Sequence, residues 1–90
     1  MDNTEISEIL KALGHPVRLR MVDGIDRHGC NVGKIVDKLK LPQSTVSQHL
    51  AILRSHKIIT ARKTGLRVCY EVTNHIVKDI LSTLRKKGVL

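Results

Sequence analysis

Ninety residues carry 16 lysines and arginines against 8 aspartates and glutamates, a formal net charge of +8, with 41% hydrophobic side chains. That length and apolar share build one small domain, residues 1–90, marginal as a monomer and better stabilised as a dimer. The basic excess is interleaved with apolar residues, which excludes a disordered tail and points to a folded domain with an anionic partner.

Asp2, Glu5 and Glu8 stand where a secretory signal would be basic, so a cytoplasmic protein is expected. No apolar run approaches the ~18 residues of a spanning helix, which disfavours a membrane. Ile6, Ile9, Leu10 and Leu13 recur at helical spacing and predict a first helix near residues 4–13, with Gly14 as its C-terminal cap. Pro16 suits the first turn of a second helix that runs to about Arg27, with Val17, Met21 and Ile25 on one face. Gly24 costs that helix about 1 kcal/mol of propensity, for which a closely packed neighbour is one reason. Val32, Ile35, Val36 and Leu39 mark a short third helix whose wet side carries Lys34, Asp37, Lys38 and Lys40.

Residues 41–56 carry the most informative pattern. Val46, Leu50 and Leu53 at i, i+4 and i+7 give a fourth helix one apolar face. Its opposite side carries Ser44, Gln48, Ala51 and Ser55, flanked by Gln43, Thr45 and Ser47. A face needing only solubility would carry Glu and Lys. Small hydroxyls and amides suit hydrogen bonding to base edges in a major groove. The third and fourth helices are joined by a tight turn at Leu41-Pro42, the arrangement in which one helix braces another across DNA.

After Lys57 the period changes to 2. Ile59 and Ala61, then Val68, Tyr70 and Val72, alternate with polar residues around a turn at Lys63-Thr64-Gly65. This predicts a β-hairpin with a basic tip of Arg62, Lys63 and Arg67. Asn74 caps a last helix bearing Ile76, Val77, Ile80, Leu81 and Leu84. The expected fold is mainly α with a β-hairpin wing: a winged helix-turn-helix of four helices, two strands and a fifth helix. Tyr70, the single aromatic, argues against RNA and single-strand binders that stack bases on several rings, leaving double-stranded DNA.

Gln43, Ser44, Thr45, Ser47 and Gln48 are the expected base-reading residues. Lys34, Lys38, His49, Arg54, Lys57, Arg62, Lys63, Thr64 and Arg67 are the expected phosphate contacts, His49 alternatively serving in packing. Two other readings use the same features. A sequence-indifferent DNA-packaging protein suits the charge but not the uncharged helix face; a protein-interaction module would bind an acidic partner. No glycine-rich phosphate loop or triad-like spacing is present, so neither an enzyme nor a cofactor is expected.

The stretch Lys11-Ala12-Leu13-Gly14-His15-Pro16-Val17-Arg18-Leu19-Arg20 resembles the opening signature of the ArsR/SmtB family of bacterial repressors. Leu41 to Leu50 resembles that family's recognition helix, and Gly65 to Val72 its wing. The resemblance implies a homodimer joined through the first and last helices, bound to a two-fold operator. The corresponding interface residues are Ile6, Ile9, Leu10, Ile76, Val77, Ile80, Leu81 and Leu84. Positions matching the family's metal-binding cysteine pair are Asn31 and Gly33, and those matching its last-helix site include Asn74 and Ile76, so no metal is expected. Asp23 stands where persulfide-sensing members keep a cysteine. His75 with Asp79, and His28 with Cys30 and His56, are read as ordinary helix-end groups rather than zinc ligands.

Cys30 and Cys69 admit two readings. Cytoplasmic cysteines are ordinarily reduced thiols. Alternatively, the segment ahead of the third helix pairs with the wing's return strand in a winged fold, which would bring both cysteines into one small sheet as a reversible disulfide. Alternation puts Cys69 on the face with Arg67 and Glu71, and the direction of Cys30 is not legible.

Overall fold

A computed structural model describes residues 2–90. The elements run α1 (Asn3–Leu13), α2 (Pro16–His28), α3 (Val32–Leu39), α4 (Gln43–Ser55), β1 (Ile59–Thr64), β2 (Arg67–Val72) and α5 (His75–Lys86). This is the expected winged helix-turn-helix order. No helix among the described residues is long and apolar enough to cross a membrane.

Local chemistry sets the helix ends. Asp2 accepts from the Glu5 amide at 2.7 Å to start α1, and Gly14 donates to the Leu10 carbonyl at 2.9 Å to close it. Pro16 opens α2, while the His15 ring accepts from the Val17 amide at 3.1 Å through Nδ1. Lys40 ends α3 in the left-handed region (φ 52°), its amide returning to the Val36 carbonyl. Leu41 and Pro42 then turn the chain into α4. Asn74 caps α5 by accepting from the Ile76 and Val77 amides.

The core joins all these elements except α3. Ile9, Ala12, Leu13, Met21, Val22 and Ile25 from α1 and α2 meet Val46 and Leu53 of α4 and Val77 and Leu81 of α5. Ile58, Ile59 and Val72 anchor the base of the wing in the same cluster. The apolar stripe of α3 is only partly covered, although Ile35 comes within 3.1 Å of where a Cβ on Gly24 would stand. The glycine inside α2 therefore has the packing reason its cost required. Leu50 is likewise half-covered rather than buried.

The wing differs from expectation in three respects. Its strands extend through Thr64 and Arg67, so the turn is the two residues Gly65 and Leu66, one position beyond the predicted turn. Beyond Ile59 every β1 residue is exposed, and Ala61 and Val68 share that exposure because the hairpin projects past the core. Cys69, by contrast, is 8% exposed although it lies on the polar face, opposite Arg62. Its cover is the segment between α2 and α3. The Tyr70 amide donates to the Gly29 carbonyl at 2.9 Å, and Cys30 is joined to Cys69 by a disulfide. A side chain at position 29 would collide with the Tyr70 carbonyl, so this approach requires glycine.

Candidate nucleic-acid interface

Buried Val46 and Leu53 fix the rotation of α4 and turn Gln43, Ser44, Ser47, Gln48 and Ala51 outward, all of them exposed. Thr45 is half-covered. Among the described residues, no side chain of Gln43, Ser44, Thr45, Ser47 or Gln48 makes a hydrogen bond within the chain. Their donors and acceptors are available to an outside partner. Pro42 precedes the helix without a side-chain cap, which leaves first-turn amides equally available. Such a helix start favours an anion.

Exposed cations stand at the end of α4 and on the elements that precede and follow it. Arg54 is exposed in the last turn of α4, and exposed Lys57 follows in the left-handed region (φ 57°) that swings the chain into the wing. On the hairpin, Arg62 and Thr64 lie on the face shared with Arg67 and Cys69, whereas Lys63 pairs with Val68 on the other. The basic tip therefore offers charge on both sides. Leu66 is fully exposed at its apex, an apolar tip that the basic pattern did not single out. Lys34 and Lys38 are exposed on α3.

His49 is the exception among the expected phosphate contacts. It is half-buried, its ring centroid 4.9 Å from that of His15, and its Nδ1 is buried with no partner among the described residues. Burial first, then the electrostatic influence of neighbouring His15 and Arg18, hold its pKa below the ordinary imidazole value. A neutral ring packed on the start of α2 serves the fold, the packing alternative for this residue. Arg18 is also structural, donating to the Ala12 carbonyl at 2.7 Å.

The expected interface residues divide in two. Ile9 of α1 and Val77 and Leu81 of α5 are covered by their own chain, because each helix turns one edge of its apolar stripe into the core. Leu10 is 50% exposed and Ile76 40%, while Ile6, Ile80 and Leu84 are partly exposed. Ile76, Ile80 and Leu84 line one shallow groove with Asp79 and Thr83.

A charged cluster that the sequence did not reveal ties α2 to α5. Arg85 bonds Asp23 and Asp26, and Lys78 reaches Asp26 at 2.9 Å. Asp23 also accepts from Arg27 one turn on. Burial pushes the Asp26 carboxyl up, but hydrogen bonds from Lys78 and Arg85 outweigh it and hold the group below its usual range.

Comparison with known proteins identifies the family and the fold. Residues 13–62 match the helix-turn-helix domain family. The transcriptional repressor PagR of Bacillus anthracis is 42% identical over 79 residues, covering 87% of this chain and 79% of PagR. The chain belongs to the ArsR/SmtB family of winged-helix regulators. The repressor SmtB of Mycobacterium tuberculosis is 36% identical over 74 residues, spanning 82% of this chain and 55% of SmtB. The crystal structure of PagR superposes with a TM-score of 0.79 at 39% identity, covering 90% of this chain and 93% of that one. HlyU from Vibrio cholerae gives 0.84 at 30% identity, with 96% of each chain covered. As an ArsR/SmtB-type regulator, the protein is a DNA-binding transcriptional repressor.

Proposed function

We propose that two copies of this chain form a cytoplasmic repressor that reads a two-fold duplex operator. The α4 helix of each copy lies in the major groove, where Gln43, Ser44, Thr45, Ser47 and Gln48 contact bases. Arg54, Lys57, Arg62, Lys63, Thr64 and Arg67 hold flanking phosphates, with Lys34 and Lys38 adding to them. The observation that carries this reading is the exposed, uncharged and internally unbonded face of α4, with exposed cations at its end and on the elements that precede and follow it. The partly exposed apolar residues Ile6, Leu10, Ile76, Ile80 and Leu84 support a seam between copies through α1 and α5. No metal is assigned, since Asn31, Gly33, Asn74 and Ile76 supply no soft ligand. The disulfide supports control by thiol state: closing or opening Cys30–Cys69 shifts operator affinity through the wing.

Substitution separates reading from anchoring. Gln48→Ala should cost roughly 1–3 kcal/mol on the cognate operator and little on random duplex. Arg62→Ala should weaken both alike and lower the salt slope, which is about −9 for ~10 phosphate contacts per dimer. Equal losses on the two DNAs from Gln48→Ala would remove Gln48 as a reader, checked by fluorescence anisotropy on matched duplexes.

A further inference from the structure

The disulfide borders a cavity of about 280 Å³ whose lining includes Cys30, Cys69, Asp26, Arg62, Glu71 and Lys78. The two cysteines are unequal: Cys30 is exposed, and Cys69 is 8% exposed. Arg62 lies directly opposite Cys69, and Glu71 follows two residues along the same face. One sulfur is thus flanked by an exposed guanidinium and an exposed carboxylate, neither ion-paired among the described residues. A reagent bearing both an ammonium and a carboxylate beside its own sulfur matches that setting. The cavity is smaller than a drug-sized pocket and admits only a small molecule.

We propose that Cys30 is a site of S-thiolation by low-molecular-weight disulfides of amino-acid type, and that Cys69 resolves the adduct. This rests on the thiol-state reading above and names its reagent and order of events. In the reduced protein, the Cys30 thiolate attacks one sulfur of the small disulfide. A bond forms between Cys30 and that half, the small disulfide's S–S bond breaks, and the other half leaves as a thiolate that takes a proton from water. The Cys69 thiolate then attacks the Cys30 sulfur, forms the internal disulfide and releases the second half. Two protein thiols are oxidised, and one small disulfide is reduced to two thiols. Excess small thiol runs the sequence backwards. Opening the bond leaves the segment ahead of α3 joined to the wing by the Tyr70–Gly29 hydrogen bond and ordinary packing.

L-Cystine, each half of which carries an ammonium and a carboxylate beside its sulfur, is the probe, read by intact mass on reduced protein. Cys69→Ser should gain one half-cystine at Cys30, and Cys30→Ser should react at least tenfold more slowly. The wild type should lose two hydrogens and keep no adduct. Comparable rates in the two variants, or no adduct in either, would overturn the proposal. A short iodoacetamide pulse on reduced wild type, mapped by peptide, gives the same ranking without substitution: Cys30 labels several-fold faster, and equal labelling contradicts the assignment. Cystamine, which lacks the carboxylate, should react several-fold more slowly than L-cystine, each rate taken relative to a free thiol. Equal relative rates would overturn the amino-acid preference. Operator affinity, compared between diamide-closed and dithiothreitol-reduced wild type, tests the underlying reading separately. Adduct chemistry without an affinity change discards thiol control alone; an affinity change without a half-cystine adduct discards the site alone.

Discussion

The side that α2 and α5 present to each other and the side formed by α4 and the wing treat charge in opposite ways. All four ion pairs among the described residues lie within α2 or between α2 and α5, where Asp23 and Asp26 meet Arg27, Lys78 and Arg85. Arg54, Lys57, Arg62, Lys63 and Arg67 meet no carboxylate there, although Glu71 stands on the same face of the wing as Arg62 and Arg67. Cations that hold the fold are neutralised. Those that face outward are left uncompensated, which is what a surface binding phosphates by counterion release requires. Apolar burial does not follow that division: α2 buries Met21, Val22 and Ile25, α5 only Val77 and Leu81, and α4 Val46 and Leu53, while α3 has none fully buried and β1 only Ile59.

The largest effect should come from the one place where the two sides share a core. Leu53 of α4 is fully buried against it, so Leu53→Ala should cost about 2–5 kcal/mol in urea unfolding and weaken DNA binding only through stability. A loss below 1 kcal/mol would mean that α4 is less firmly seated than its burial implies.

Arg85→Ala is the intermediate case. It removes one of two cationic partners from each of Asp23 and Asp26, leaving Arg27 on the first and Lys78 on the second, and should cost roughly 1–2 kcal/mol after allowance for solvent screening. Arg62→Ala, on the exposed wing, should stay within about 0.5 kcal/mol in the same assay while lowering DNA affinity. Similar stability losses for the two arginines would erase the distinction between paired and unpaired charge.

The smallest effect is a pH dependence at the junction of the two sides. With its folded pKa depressed, His49 binds a proton more readily in the unfolded chain. Its contribution is therefore complete above the ordinary imidazole value of ~6.5 and is lost as pH falls toward the folded pKa. Thermal midpoints should fall between pH 7.5 and 5.5, and less so in His49→Gln. Asp26, also depressed, loses its contribution only below about pH 4, so the two windows separate. An unchanged slope in His49→Gln would assign the pH effect to other groups.

How far the sequence could be read follows from the range of each interaction. Helices, their caps at Gly14 and Asn74, and the outward face of α4 depend on neighbours within a few residues, and periodicity exposes them. The wing turn fell one position late because strand pairing continues through Thr64 and Arg67 before Gly65 and Leu66 reverse the chain. Alternation assigned Cys69 to the polar face, but what covers that face comes from Gly29 and Cys30, about forty residues earlier. The α5 stripe was visible, yet hydrophobicity alone does not separate Val77 and Leu81, turned into their own core, from Ile76, Ile80 and Leu84 at its margin. The α2–α5 ion pairs span 52 to 62 residues and leave no local pattern.

The most direct measurement of the central claim is selection of tight binders from a pool of random duplexes by the purified protein. Recovery of a palindromic motif, bound far more tightly than random DNA, is the result predicted for a dimer that reads bases through α4. A pool that remains random, with equal affinity for selected and unselected DNA, would contradict it.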